Sequence, residues 1–415
     1  MRKVFTASIF LLLTSCLSET SVKPGNSNTF IRYYNGGNND QAVAMEETPD
    51  KGFIILASTK IQKAEADQPS YKIKLIKTDQ YGNPVWQYLY PDFSVKNVNY
   101  TASSLQLLST GGYVITGDVI QVDGSGNVLA SQALIMTVDD SGKNPKNASL
   151  ASPLDASLKP IAISSGKAVA VNALGNFLVL STSGTDAMYL TEINQANFAP
   201  PTWTVPYSAG STSLASRLFV DENGKIVWSG GATKNGLTGI RMVKTAPNSK
   251  FTDFDLLISE PGFDETATDF CKFGFGYAVT GSTNKKPDGS KGTDTDILFR
   301  RLGADGTILG SQTFAFDNQN DFGNSISSTQ DGGLIILSSV LSAAINGRGD
   351  TDYYLIKINA FGDKVWTSSF GSKFKDDGVT VRQTSDGGYG VLGTTTQGGL
   401  KILTLSKTDK DGKIQ

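Results

Sequence analysis

Histidine is absent from all 415 residues, and that absence removes more chemistry than any other feature of the sequence. It excludes Ser-His-Asp and Cys-His nucleophile schemes, His-ligated zinc and any imidazole acid–base step. Cysteine is almost absent: Cys16 and Cys271 are too few for a disulfide framework or a thiolate metal site. Charge is also sparse, at 18% of residues with a formal net charge of −2, so no basic face is available for nucleic acid. Beyond the first 15 residues no apolar run is long enough for a membrane-spanning helix. Glycine is plentiful at 44 residues, as many tight turns require, and 39% hydrophobic content allows a large core.

Those glycines punctuate a repeat. Residues 331–371 read as a DGG turn, a strand at Leu334–Leu341, a loop, a strand at 353–359, a short turn and a strand at 365–370. Their Ile, Leu, Val, Tyr and Trp content suits a pleated, buried surface. The first of these strands recurs from Gly52, Gly112, Asn176, Gly224, Gly276, Gly333 and Gly388, at spacings of 48 to 64 residues. The next recurs from Tyr71, Ala133, Met188, Gly239, Asp296, Tyr353 and Leu400, and the last from Val85, Trp203, Phe254, Ile308 and Val365. A further strand precedes each copy, for example at 42–46, 325–328 and 379–383. The second copy is the exception, since residues 147–153 make a poor final strand.

Four antiparallel strands repeated seven times predict an all-β, seven-bladed β-propeller over residues 29–415. The seventh copy lacks its last strand, while residues 29–37 form an orphan strand in which Tyr34 and Asn35 echo Phe370 and Gly371. That segment is expected to complete blade 7 and close the ring, leaving no open edge. Stacked sheets or a sandwich array would leave the complementary ends unexplained.

The N-terminus carries Arg2 and Lys3, an apolar stretch at 4–13, and then Leu13, Thr14, Ser15 and Cys16. This resembles the lipobox of bacterial lipoproteins. The resemblance implies a signal peptide at 1–15, cleavage before Cys16 and diacylation of its thiol, with residues 16–28 as a flexible tether. The other reading is an ordinary signal peptide in which Cys16 is incidental. The repeat itself resembles that of secreted and surface β-propeller lipoproteins of the Bacteroidota, with DGG-[YF] followed by YLIK-x-[DN] and VW…FG. Blades 1 and 6 match it well, 5 and 7 partly, and 2 to 4 have drifted. The resemblance implies lipid anchoring in the cell envelope, at the outer membrane and on either of its sides, with fatty acyl (palmitate) modification. It implies no activity.

In a four-stranded blade the first–second and third–fourth turns share one face. The second–third loops and the crossings between blades share the other. Long loops are expected on the second face at 60–70, 118–131, 283–293 and 341–349, making it the working face. Candidate binding residues there are Lys60, Lys63, Lys285, Lys286, Arg348 and Asp350. Arg348, Gly349 and Asp350 spell an integrin-type tripeptide, which turn chemistry explains better. The pairs Asp294/Asp296 and Asp350/Asp352 offer oxygens suited to Ca²⁺ but lack EF-hand spacing, and solvent-facing strand positions explain them equally well. Asp376 and Asp377 are expected to begin a crossing loop. Cys271 reads as a small buried residue among Phe270, Phe273 and Phe275. Trp86, Trp203 and Trp366 read as inter-blade packing and Trp228 as core.

The sequence assigns no catalytic residue, metal ligand or cofactor. Its first functional reading is a non-enzymatic, envelope-anchored scaffold that binds a protein partner, within an outer-membrane complex, or a glycan. The second is a carbohydrate-active enzyme, a glycosidase or lyase working through carboxylates. A quinone-dependent dehydrogenase lacks any cofactor signature.

Overall fold

The computed structural model describes residues 28–62, 70–91, 97–150, 164–183, 187–198, 201–208, 214–234, 236–316 and 319–414. Within them lie seven four-stranded antiparallel sheets, and the chain is a seven-bladed β-propeller. Blade 6 shows the pattern: Gly323–Ser328, Leu334–Leu341, Thr351–Ile358 and Lys364–Phe370 pair in chain order from the axis outward. The expected signal peptide, Cys16 and nearly all of the expected tether lie outside the described residues.

The strand sequences follow from their depth in the ring. Second and third strands are sandwiched between neighbouring blades, so they are apolar on both faces. Phe53–Ile61 in blade 1 is buried at its first seven positions. Fourth strands form the rim and alternate, as in Lys364–Phe370. The tryptophans there do pack between blades: Trp86 lies 6.3 Å from Tyr113 of blade 2, and Trp366 lies 5.8 Å from Tyr389 of blade 7. Trp228 is fully buried and packs edge-on against Tyr207.

First strands share a device invisible in the repeat motif. Each of the seven carries a β-bulge at the matching place, for example Ala42/Ala44, Ala102/Ser104, Gly166/Ala168 and Gly378/Thr380. A bulge takes a backbone N–H out of the ladder. In three blades that N–H is donated to the preceding blade: Ala102 to Ser58 (2.9 Å), Gly166 to Asp118 (2.9 Å) and Gly378 to Ser339 (2.7 Å).

The N-terminal strand closes the ring. Phe30–Tyr34 pairs antiparallel with Leu400–Thr408 as the fourth strand of blade 7. Phe30 faces Lys407 as Trp86 faces Lys77 and Trp366 faces Lys357, so Phe30 fills the tryptophan position. Tyr34 donates its hydroxyl to Gly82 O (2.8 Å), as Tyr90 does to Gly142 O one blade on. At the seam, Arg382 Nε of blade 7 lies 3.0 Å from Glu46 Oε1 of blade 1.

The structure differs from several expectations. Residues 118–131 and 283–293 are not long loops: the strands run on to tight turns at 123–127 and 286–290. In blade 5 polarity concealed this, because a hairpin that rises clear of the core needs no apolar side chains. Blade 2 has its fourth strand, a short one at Lys146–Ser149. Asp376 and Asp377 lie within the strand Lys375–Gln383 rather than in a crossing. Phe275 is fully exposed at a turn, and Cys271 is only partly buried.

Candidate binding channel and loop face

The seven first strands surround a channel of about 540 Å³ on the propeller axis. Its wall takes residues from every blade, because a strand's alternate side chains must point either into the sheet packing or into the lumen. The charged ones are Glu46, Arg217, Asp269 and Arg382, among Ser103, Ser104, Thr268, Asn324, Ser325 and Thr380. Both carboxylates are engaged by guanidinium groups. Arg382 holds Glu46, and Arg217 Nη1 lies 3.1 and 3.2 Å from the two oxygens of Asp269.

Asp269 also accepts from Ser325 Oγ (2.9 Å) and Ile326 N (3.0 Å), so one carboxylate joins blades 4, 5 and 6. Cys271 lies two residues further along the same strand, and burial pushes its thiol up to about 12, which leaves it unreactive at neutral pH. None of the four charged channel residues belongs to a repeat motif. The available signal was a charged side chain interrupting a first strand, as Glu46, Arg217, Asp269 and Arg382 all do.

The described residues expected to bind sit on the second–third loop face, in three separate blades. Lys60 lies over the Tyr71 ring at 5.6 Å in blade 1. Lys63 falls outside the described residues. Lys285 and Lys286 come together in blade 5, at a pocket of about 360 Å³ that also contains Glu260, Glu265 and Arg300. There Lys285 pairs with Glu260, and the fully buried Arg300 pairs with Glu265. Lys286 lies 2.7 Å from Asp294 and 3.0 Å from Asp296.

Arg348 and Asp350 are exposed in blade 6, after a 3-10 turn at Ser342–Ile345. Their backbone serves the loop: Ser342 Oγ donates to Arg348 O and Ser342 N to Asp350 O, both at 3.0 Å. Arg348 N donates to Asp352 Oδ2 (2.7 Å). Turn chemistry therefore accounts for this tripeptide.

The second aspartate of each Asp-x-Asp pair is not solvent-facing. Asp296 is 0% and Asp352 1% exposed, because each sits where a third strand meets the next blade. Asp321, entering blade 6, donates its N–H to Thr295 O (2.7 Å) beside Asp296. Its carboxyl is pushed up to about 7, first by burial and then by the Asp296 charge. Around Gly371, Asp352 Oδ1 and Asp376 Oδ2 lie 2.0 and 2.8 Å from where a Cβ would stand, so only glycine fits. Burial likewise raises the Asp376 carboxyl. Among the described residues, no three His, Cys, Asp or Glu side chains converge as metal ligands.

No family model and no curated protein matches the chain. Solved structures do match, at identities that speak to fold alone. A protein of unknown function from Dyadobacter fermentans is 10% identical over 92% of this chain and 97% of its own, with a TM-score of 0.54. The polysaccharide lyase Uly1 is 10% identical over 89% and 90%, with a TM-score of 0.55. Chaetomium thermophilum Sqt1, solved with the N-terminus of ribosomal protein L10, is 10% identical over 91% and 98%, with a TM-score of 0.50. The chain therefore shares its propeller architecture with proteins of different roles, and its fold leaves the activity open.

Proposed function

We propose that this protein is an envelope-anchored lipoprotein whose propeller binds a protein partner or a glycan without catalysis. The observation that carries the non-enzymatic reading is the state of the channel carboxylates. A glycosidase needs one acid able to give up a proton and another free to act as base or nucleophile. Glu46 and Asp269 are instead each clamped by an arginine, and Asp269 is further tied to the backbone of blade 6. Both serve the ring's own cohesion.

The sequence around Cys16 supports the anchor, and the loop face offers hairpins of different reach on a rigid ring. The test is capture of the full-length lipidated protein from detergent-solubilised envelopes, with Cys16→Ala as the untethered control. A stoichiometric envelope partner or retained glycan is expected. Recovery of the protein alone, together with turnover of a polysaccharide, would replace this reading with the carbohydrate-active one.

A further inference from the structure

Among the described residues, the large apolar side chains most exposed to solvent are distributed unevenly between the two faces. Leu174 (80%), Phe251 (72%), Phe275 (100%) and Phe361 (77%) all lie in first–second or third–fourth turns. They occupy blades 3, 4, 5 and 6 in succession on the tight-turn face. On the opposite face the most exposed large apolar residue among those described is Leu129, at 63%. The turns do not require these side chains. Leu174 in the Asn172–Asn176 turn stands where blade 1 has Asp50 and blade 4 has Asn223, and such positions favour Gly, Asn and Asp. Single exposed apolar residues are ordinary, but four of this size and exposure in successive blades on one face are not.

The chain leaves the propeller on this same face. Phe30 pairs with Lys407, next to the Asp409–Gly412 turn, and its ring packs on Gly82 in the third–fourth turn of blade 1. The 27 residues that precede the described part, with the apolar stretch and Cys16, therefore join the body on the side where the aromatics stand.

We infer that the tight-turn face is the membrane-facing side of the protein, resting on the lipid surface through Leu174, Phe251, Phe275 and Phe361. This inference rests on the lipid anchor proposed above. An anchor holds the body at high effective concentration near the bilayer, so a few apolar side chains suffice to choose which face turns towards it. The loop face, with Lys60, Lys285 and Arg348, then points away and stays free for a partner. Aromatic rings at the headgroup level suit such a contact.

The experiment uses full-length lipidated protein in phosphatidylethanolamine–phosphatidylglycerol vesicles containing brominated acyl chains, in a Cys271→Ala background. A fluorescent probe is attached through Ala173→Cys or Ala360→Cys on the tight-turn face, or Ser125→Cys on the loop face. All three positions are exposed, and the four apolar residues remain in place. The first two probes are expected to lose most of their emission to bromine, and the third none. Phe275→Asp combined with Phe361→Asp should abolish the quenching while a palmitate label on Cys16 persists.

Labelled protein whose tight-turn probes stay bright overturns the inference, and points to a protein partner as the occupant of this face. Absence of the palmitate label defeats the anchor reading instead. The face is then tested with the same probes on protein tethered to the vesicles by an N-terminal hexahistidine tag and nickel-chelating lipid, where bright probes again overturn it.

Discussion

Lys357 Nζ, on the third strand of blade 6, lies 2.9 Å from Asp331 Oδ2 in the turn between the first two strands. It also donates to Thr329 Oγ1 (3.1 Å) and Ile358 O (3.0 Å). Lys77 with Asp50 and Lys407 with Asp386 repeat the arrangement in blades 1 and 7. The lysine of the YLIK motif and the aspartate of the DGG motif are therefore partners, which explains why they recur together. The glycine after the turn completes the clamp, since a Cβ on Gly333 would stand 2.2 Å from Ile358 O and 2.6 Å from the ammonium.

The two halves of this clamp should respond differently to mutation. Lys357 is nearly buried, with 6% of its side chain exposed, while Asp331 is 60% exposed. Asp331→Ala leaves a buried ammonium short of a partner and is expected to cost about 2 kcal/mol. Lys357→Met leaves only a solvated carboxylate and should cost about 1 kcal/mol or less. Urea denaturation of both variants checks the order, and equal losses would show that the ammonium is not dependent on Asp331.

Ring closure predicts a cost at a residue far from any channel. Phe30 is 4% exposed and packs edge-on against Phe53 at 6.5 Å. Phe30→Ala should lose about 3–4 kcal/mol by leaving a cavity between blades 7 and 1. The same variant should expose the edge of Leu400–Thr408 and promote self-association, visible by light scattering. A monomer with unchanged melting would mean that the seam is held without this strand.

Asp269 should be the costliest channel residue to remove. Asp269→Ala takes a partner from Arg217, Ser325 and Ile326 at once and is expected to cost about 2–3 kcal/mol. Arg217→Ala should cost less, because the carboxylate keeps its two bonds to blade 6. Thermal melts of the pair decide this, and a larger loss for the arginine variant would contradict it.

Stability should fall between roughly pH 4 and 7, from an ordinary aspartate value to that of Asp321. A carboxyl raised in the folded state binds a proton there that the unfolded chain has already released. Its contribution is complete at low pH, is lost as pH rises through about 7, and stays flat above. Asp321→Asn should remove part of this slope, raising the melting temperature at pH 8 relative to the parent more than at pH 5. An unchanged difference between the two pH values would show that Asp321 ionises normally.

The sequence by itself determined the blade count and the ring closure. Both are written in local signals: glycine where φ turns positive, apolar runs where strands are covered on both faces, and a last strand displaced to Phe30–Tyr34. It also placed Trp86 and Trp366 between blades, because fourth-strand positions repeat. Its misreadings came from signals with no local signature. The hairpin of blade 5 is polar because it stands clear of the core, so it read as a loop.

Asp296 and Asp352 read as exposed because a lone sequence does not say which neighbouring blade covers a carboxylate. The channel was hidden for the same reason. Glu46, Arg217, Asp269 and Arg382 are scattered over more than three hundred positions, and only the circular arrangement of first strands brings them around one axis. The contrast between the two faces was decided there too. Strand direction sets which turns share a side, and the closure of the ring puts Phe30, where the chain enters the propeller, on the same face as the exposed phenylalanines.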